Sequence, residues 1–277
     1  MPFAESDGAR IHYELAGQGE PLLLLMGYGL SGDAWTPMLP LLAGYRAVIV
    51  DNRGTGGSQG ALEGLTIDTF AADAAAVLDA AAIRRAHVHG VSMGGMIAQS
   101  LVLARPDLVH TLVLGCTTPA PLRFMADDGA ASIELFQAAS LMRTDPQTGV
   151  DRLLPLILSP EFLAENPSVR DMAGALVSAA PIDEAAPMQM MRAIADLATG
   201  RAWDVADRLG EIKVATLVQH GSADRLIAVE AGRYLADHIP GAEYQEFEGA
   251  GHAYGLERPL EAFPRMMQFL AAHPLPG

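Results

Sequence analysis

The 277-residue chain has a single cysteine, Cys116, and a single lysine, Lys213, among its 18 basic residues. One cysteine excludes an internal disulfide framework and gives no sign of an oxidising compartment. Its place in the apolar run at residues 112–116 predicts a buried strand end rather than a reactive thiol. Acidic residues number 33, for a formal net charge of −15, which argues against nucleic acid or an anionic membrane as a partner. The simplest role of that charge is to keep a chain that is 50% hydrophobic in solution. No apolar run approaches the ~20 residues needed to cross a bilayer. The first seven residues lack both the basic region and the apolar core of a signal peptide, so the expectation is a soluble, cytoplasmic protein. No Gly-x-Gly-x-x-Gly follows a strand and no Walker sequence is present, so no nucleotide cofactor is expected. The histidines at 12, 87, 89, 110, 220, 238 and 273 show no cysteine or carboxylate spacing typical of a metal site. Oligomeric state, monomer or homo-oligomer, stays open.

The most informative stretch is Gly90-Val91-Ser92-Met93-Gly94-Gly95, set between a short β-type run and an apolar helical run. A Gly-x-Ser-x-Gly between strand and helix describes a nucleophile elbow. The glycines remove the Cβ atoms that would collide in so tight a turn. The serine sits at a helix start, where free N–H groups favour a developing anion.

Two partners follow in chain order. Asp224 lies in the polar loop Gly221-Ser222-Ala223-Asp224 just past a strand, and His252 lies in the loop Gly249-Ala250-Gly251-His252 past another. The order Ser92, Asp224, His252 matches that of α/β-hydrolases and not that of the chymotrypsin or subtilisin scaffolds. Histidine has an unperturbed pKa suited to take the serine proton and return it to the leaving group, with the aspartate orienting the ring. An oxyanion hole is expected from the backbone N–H of Met93 and, from the loop after an early apolar strand, that of Tyr28. The Tyr28 hydroxyl is a further candidate to meet a substrate carbonyl.

These motifs identify the chain as resembling the α/β-hydrolase superfamily over nearly its whole length. Asp51-Asn52-Arg53-Gly54-Thr55-Gly56-Gly57-Ser58 resembles the family's Asp-x-Arg-Gly-x-Gly-x-Ser loop, and Gly251-His252 followed by Glu257-Arg258-Pro259 resembles its histidine loop. Many relatives carry His-Gly where this chain has Met26-Gly27; in that departure it is similar to bacterial polyketide methylesterases, and enol-lactonases and carbon–carbon bond hydrolases are similar in layout. The resemblance implies an α/β fold with a mostly parallel eight-stranded sheet, helices on both faces and an inserted helical cap.

Alternating strand and helix patterns place the core at residues 1–118 and 210–277, with a hairpin about Asp7-Gly8, a Thr66 cap before a helix at 67–81, helices expected at 95–104 and 229–238, and a strand at 243–247. Between 119 and 209 that rhythm breaks: prolines recur, and helical pieces are predicted at 133–142, 152–158 and 188–198, which fits the cap. Trp35, Phe124, Met125, Phe136 and Met188 are candidates to line a substrate pocket. His87 and His89 are expected to hydrogen-bond structurally, and Arg53 to brace its loop. The leading expectation is a cofactor-free serine hydrolase cleaving a carboxylic ester of a small to medium, largely apolar molecule through an acyl-enzyme. A lactonase or carbon–carbon bond hydrolase would use the same machinery, and a ligand receptor or a non-hydrolytic catalyst such as a perhydrolase could share the scaffold. A serine nucleophile argues against haloalkane dehalogenase or epoxide hydrolase chemistry, which uses aspartate there.

Overall fold

The computed structural model describes residues 2–142, 144–179, 183–196 and 201–276. The chain opens with β1 (Phe3–Ser6) and β2 (Ala9–Gly17), an antiparallel hairpin. Its two-residue turn holds Asp7 at φ 45° and Gly8 at φ 72°, as a twist-matched hairpin turn requires. Strands β3 (Glu20–Leu25), β4 (Tyr45–Val50), β5 (Ala86–Val91) and β6 (Val109–Gly115) follow. Helix α1 (Ile67–Ala80) precedes β5, and α2 (Met93–Ala104) joins β5 to β6. Thr66 caps α1 as expected, its hydroxyl accepting from Thr69 N while Thr69 reaches back to the Thr66 amide.

After β6 the chain makes a helical excursion: α3 (Pro121–Phe124), α4 (Ala130–Leu141), α5 (Pro146–Ile157), α6 (Pro160–Glu165), α7 (Val169–Ala179) and α8 (Ala186–Ile194). Two-residue strands β7 (Ala195–Asp196) and β8 (Arg201–Ala202) then pair antiparallel. The helix predicted at 188–198 therefore stops at Ile194. Ala195 turns extended, with φ −155° and ψ 115°, because pairing with Ala202 takes over the backbone; residues 197–200 lie outside the described residues. The chain returns through β9 (Ala215–Gly221), α9 (Val229–His238), β10 (Glu243–Phe247), α10 (Tyr254–Glu257) and α11 (Pro259–Ala272). The excursion's two ends meet where the Val205 amide donates to the Pro119 carbonyl at 2.9 Å.

The eight-stranded sheet runs β1-β2-β4-β3-β5-β6-β9-β10. It is parallel from β4 to β10, with β1 and β2 antiparallel at one edge. Inner strands are mostly apolar because both faces are covered, and their buried polar side chains, such as His87 and His89 of β5, are hydrogen-bonded. Leu23, Leu25, Val48, Val50, Leu112, Leu114 and Val218 pack with α1, α2 and α9. The alternate residues Leu22, Leu24, Ile49, Val113 and Leu217 pack with Trp35, Phe263, Met266 and Phe269 on the other side. Among the described residues, no helix is long and apolar enough to cross a membrane.

Candidate active site

Ser92 alone turns the chain from β5 into α2, at φ 55° and ψ −123°. A non-glycine residue there carries on the order of 1–3 kcal/mol of strain, held only when its surroundings over-determine it. They do: the Ser92 amide donates to the Gly115 carbonyl at 2.8 Å, and its carbonyl accepts from Thr117 Oγ1 at 2.7 Å and the Gly95 amide at 2.9 Å. The flanking glycines are required by close approach. A Cβ at Gly90 would lie 2.2 Å from the Gly94 carbonyl oxygen, and one at Gly94 would lie 2.1 Å from that of Leu25. Helix α2 starts at Met93, two residues before the predicted Gly95, because packing on β3 outweighs glycine's poor helix propensity.

The loop after β3 lies against this turn. A Cβ on Gly27 would stand 3.1 Å from Ser92 Cβ and 3.6 Å from its Oγ, so a side chain there would crowd the serine. Met93, fully buried, opens α2, where the first amides have no partner within the helix. Tyr28 is 8% exposed, and its hydroxyl donates to the Pro187 carbonyl of α8 at 2.9 Å; burial raises its pKa. That hydroxyl is occupied in tying the loop to α8, so the expectation that it meets a substrate is corrected.

Asp224 and His252 come together from the ends of β9 and β10. His252 Nδ1 donates to Asp224 Oδ2 at 2.7 Å, and both are buried. The Asp224 Oδ1 accepts from the amides of Leu226 at 2.8 Å and Ile227 at 3.0 Å. A third group, not anticipated from the sequence, joins them: His220 Nε2 lies 3.2 Å from Asp224 Oδ2. Burial opposes the Asp224 anion, but the two imidazoles outweigh it and hold the carboxyl well below the usual range. Burial likewise opposes a charged His252, and the Asp224 carboxylate, with Cys116 beside the ring, lifts its pKa well above the ordinary value. Cys116 is buried as expected, yet it follows Gly115, the acceptor of the Ser92 amide, so the end of β6 links the serine turn to the histidine.

The histidine loop is fastened to the helical excursion. Gly251 N donates to Glu257 Oε1 at 2.9 Å and Ala253 N to the Ile157 carbonyl at 2.7 Å. Arg53 braces its loop as expected, forming a two-point ion pair with Asp73 of α1 at 2.7 and 2.8 Å. His87 bonds Thr111 and Glu20, and His89 bonds the Val113 carbonyl.

The pocket candidates scatter. Trp35 is 3% exposed and packs in the sheet cluster, its ring 5.1 Å from His89, so it serves as core. Met188 is exposed whereas Met190 is fully buried, so the packed face of α8 is the Met190 face and Met188 points away from it. Phe124 packs on Tyr234 with ring centroids 5.2 Å apart. Met125 bridges to Ile227 in the acid loop, and Phe136 is half-buried on α4. Of the residues whose roles were missed, His220 is a polar side chain at the end of an inner strand, Glu257 was quoted only as part of the histidine-loop resemblance, and Thr117, just past the end of β6, carries no signal in the sequence.

A family model for the alpha/beta hydrolase fold matches residues 20–259. RutD of Azorhizobium caulinodans, provisionally named a carbamate hydrolase, is 32% identical over 96% of this chain and 97% of its own. Among solved structures, Est816, described as an N-acyl homoserine lactone degrading enzyme, is 30% identical with a TM-score of 0.76, covering 97% of this chain and all of its own. The enol-lactonase of Burkholderia xenovorans LB400 is 25% identical with a TM-score of 0.82, over 98% of this chain and all of its own. The elbow, the sheet order and these end-to-end likenesses agree, and the chain belongs to the α/β-hydrolase fold family as a hydrolase.

Proposed function

We propose that the protein is a serine hydrolase that cleaves a carboxylic ester of a small to medium, largely apolar molecule. Ser92 attacks the carbonyl carbon while His252 takes its proton, and the amides of Met93 and Tyr28 receive the oxyanion. His252 then gives the proton to the departing alcohol, leaving an acyl-enzyme. In the second half it deprotonates a water that attacks the acyl carbon and releases Ser92. Asp224 holds the imidazole in the Nδ1–H tautomer and stabilises the imidazolium without taking the proton. The helical excursion at 119–209 acts as a cap over the carboxyl ends of the strands, with Phe124, Met125 and Phe136 as candidates to line its pocket. The observation that carries the reading is two features at the carboxyl ends of parallel strands of one sheet: a strained serine turn after β5, and a buried imidazole after β10 whose Nδ1 is committed to a carboxylate.

Opening of a lactone is the second reading, favoured by the two lactone-acting neighbours, Est816 and the enol-lactonase. A fluorophosphonate probe together with short p-nitrophenyl esters and acyl lactones tests both. Labelling at Ser92 with ester turnover, both abolished in Ser92→Ala, is the expected result. Faster turnover of lactones than of open esters would transfer the assignment to the second reading. Labelling without any turnover would indicate a receptor, and peroxide-dependent bromination would indicate a perhydrolase. Because the His252 pKa is raised, kcat/KM should climb as pH rises through and above neutrality, since only the neutral ring accepts the serine proton.

A further inference from the structure

His220 is the last residue but one of β9, and its ring is fully buried. Nε2 stands between two acceptors, Asp224 Oδ2 at 3.2 Å and the Ile227 carbonyl at 3.1 Å. An atom facing two acceptors carries the hydrogen. Nδ1, by contrast, is buried without a hydrogen-bond partner. Helix α9 closes over it at Gly232, where a Cβ would come 2.7 Å from that nitrogen. A proton on Nδ1 would be a sealed donor with no acceptor, the expensive case. The packing thus selects a neutral ring with its proton on Nε2, aimed at the Asp224 carboxylate.

With that donor counted, Asp224 is saturated. Two backbone amides fill Oδ1, and two imidazoles share Oδ2. A carboxylate offers about four lone-pair sites. A leucine at position 220 would fill similar volume without stranding a buried nitrogen, so packing alone gives no reason for a histidine.

We propose that His220 is a positioning residue that sets the basicity of His252 through their shared oxygen, Asp224 Oδ2. By donating to that oxygen it draws off charge that would otherwise act on the His252 imidazolium, and it fixes the carboxylate plane in which Nδ1 of His252 is held. The inference rests on the reading of Ser92, His252 and Asp224 as the reacting set. The other groups around the ring leave the effect to Asp224. Glu246, the register partner of His220 on β10, is engaged by Arg233 and Tyr244. Helix α9 contributes Gly232, and the β6 side contributes Cys116, whose amide bonds the carbonyl of Gln219.

The test is the pH dependence of Ser92 labelling by a fluorophosphonate, and of kcat/KM on a p-nitrophenyl ester, in wild type, His220→Leu and His220→Gln. Loss of the donor concentrates the carboxylate charge on His252, so in His220→Leu the acid limb should move upward by about half a pH unit or more. His220→Gln, which keeps an N–H donor, should return the limb toward its wild-type position. A folded His220→Leu with an unmoved limb overturns the proposal and leaves the ring as packing. Should that variant not fold, nitrogen NMR of histidine-labelled wild type at pH 8 decides: His220 should show a protonated Nε2 and a bare Nδ1, and the opposite tautomer overturns the proposal. Wild-type protein that is neither labelled nor active at any pH would instead defeat the assignment of the reacting set, while the tautomer measurement would still stand on its own.

Discussion

Glu257 and Ser159, 98 residues apart, share two hydrogen bonds: the Ser159 amide donates to Oε1 at 2.9 Å and the hydroxyl to Oε2 at 2.6 Å. The same Oε1 accepts the Gly251 amide, one residue before His252. Glu257 is 6% exposed, and among the described residues it has no ion-pair partner, so three donors stabilise a buried carboxylate. One side chain thereby joins the histidine loop to the corner between α5 and α6, where Ser159 also caps α6 by accepting the Phe162 amide at 3.2 Å.

Removing that carboxylate strands two amides and a hydroxyl. Glu257→Ala should lose about 2–4 kcal/mol of unfolding free energy, given about 1–3 kcal/mol for a buried donor left unsatisfied. Glu257→Gln keeps an acceptor for both amides and should lose less than half as much. Denaturant unfolding of the two variants measures this, and a loss below about 0.5 kcal/mol in the alanine variant would mean the clasp contributes nothing net.

Arg53 and Asp73 form a buried pair, 3% and 2% exposed, with Arg53 also donating to the Ser6 carbonyl at 3.0 Å. Breaking such a pair from one side leaves an uncompensated charge. Arg53→Met should cost about 3–5 kcal/mol, while the double variant Arg53→Met, Asp73→Leu should recover much of it. Unfolding free energies of the single and double variants form the cycle that measures the coupling. Equal losses in both would show that the pair matters for its shape and not for its charge.

What the sequence made legible follows from how local each signal is. The Asp7-Gly8 turn, the Thr66 cap and the α9 and β10 boundaries depend on residues within a few positions of one another, and they stand where periodicity and turn chemistry put them. The elbow is readable for the same reason: its glycines and its serine occupy five consecutive positions. Contacts across the sheet edge are not. Nothing local distinguishes His220 from a strand-end histidine until Asp224 folds back over it, and Ser159 meets Glu257 only because α5 and α6 return to the histidine loop. Composition alone could not rank Trp35 and Met188, since an aromatic or a methionine near a site says nothing about which face of its element is covered. Trp35 is buried in the sheet cluster and Met188 is exposed on α8.

Tyr28 offers a separation of backbone from side-chain effects. Its amide is the proposed oxyanion donor, and its hydroxyl is spent on Pro187. Tyr28→Phe removes only the second, so stability should fall by about 1 kcal/mol, the usual net worth of a neutral hydrogen bond. The catalytic constant should stay within about threefold, because losing a true oxyanion donor costs ~10²–10³. A hundredfold fall in kcat with unchanged folding would return the hydroxyl to the chemistry.

His89 couples folding to acid. It is 3% exposed beneath Trp35, and burial lowers its pKa to about 4, only partly offset by its bond to the Val113 carbonyl at 3.2 Å. An unfolded chain binds that proton near 6.5, so between pH 6.5 and 4 the unfolded state holds more protons than the native one. Stability from this group is complete above 6.5 and declines as pH falls. The loss reaches about 3 kcal/mol at pH 4, because each tenfold difference in proton affinity between the two states is worth about 1.36 kcal/mol. The Asp224 carboxyl is depressed below its ordinary value and titrates in a more acidic window, and His252, with its raised pKa, is charged in both states over this range. Urea unfolding of wild type and His89→Gln at pH 7, 6, 5 and 4 isolates the effect: the wild-type curve should fall more steeply, the gap widening toward pH 4. Parallel curves would mean that the imidazole finds water or a second partner on protonation, and that its burial beneath Trp35 imposes no acid penalty.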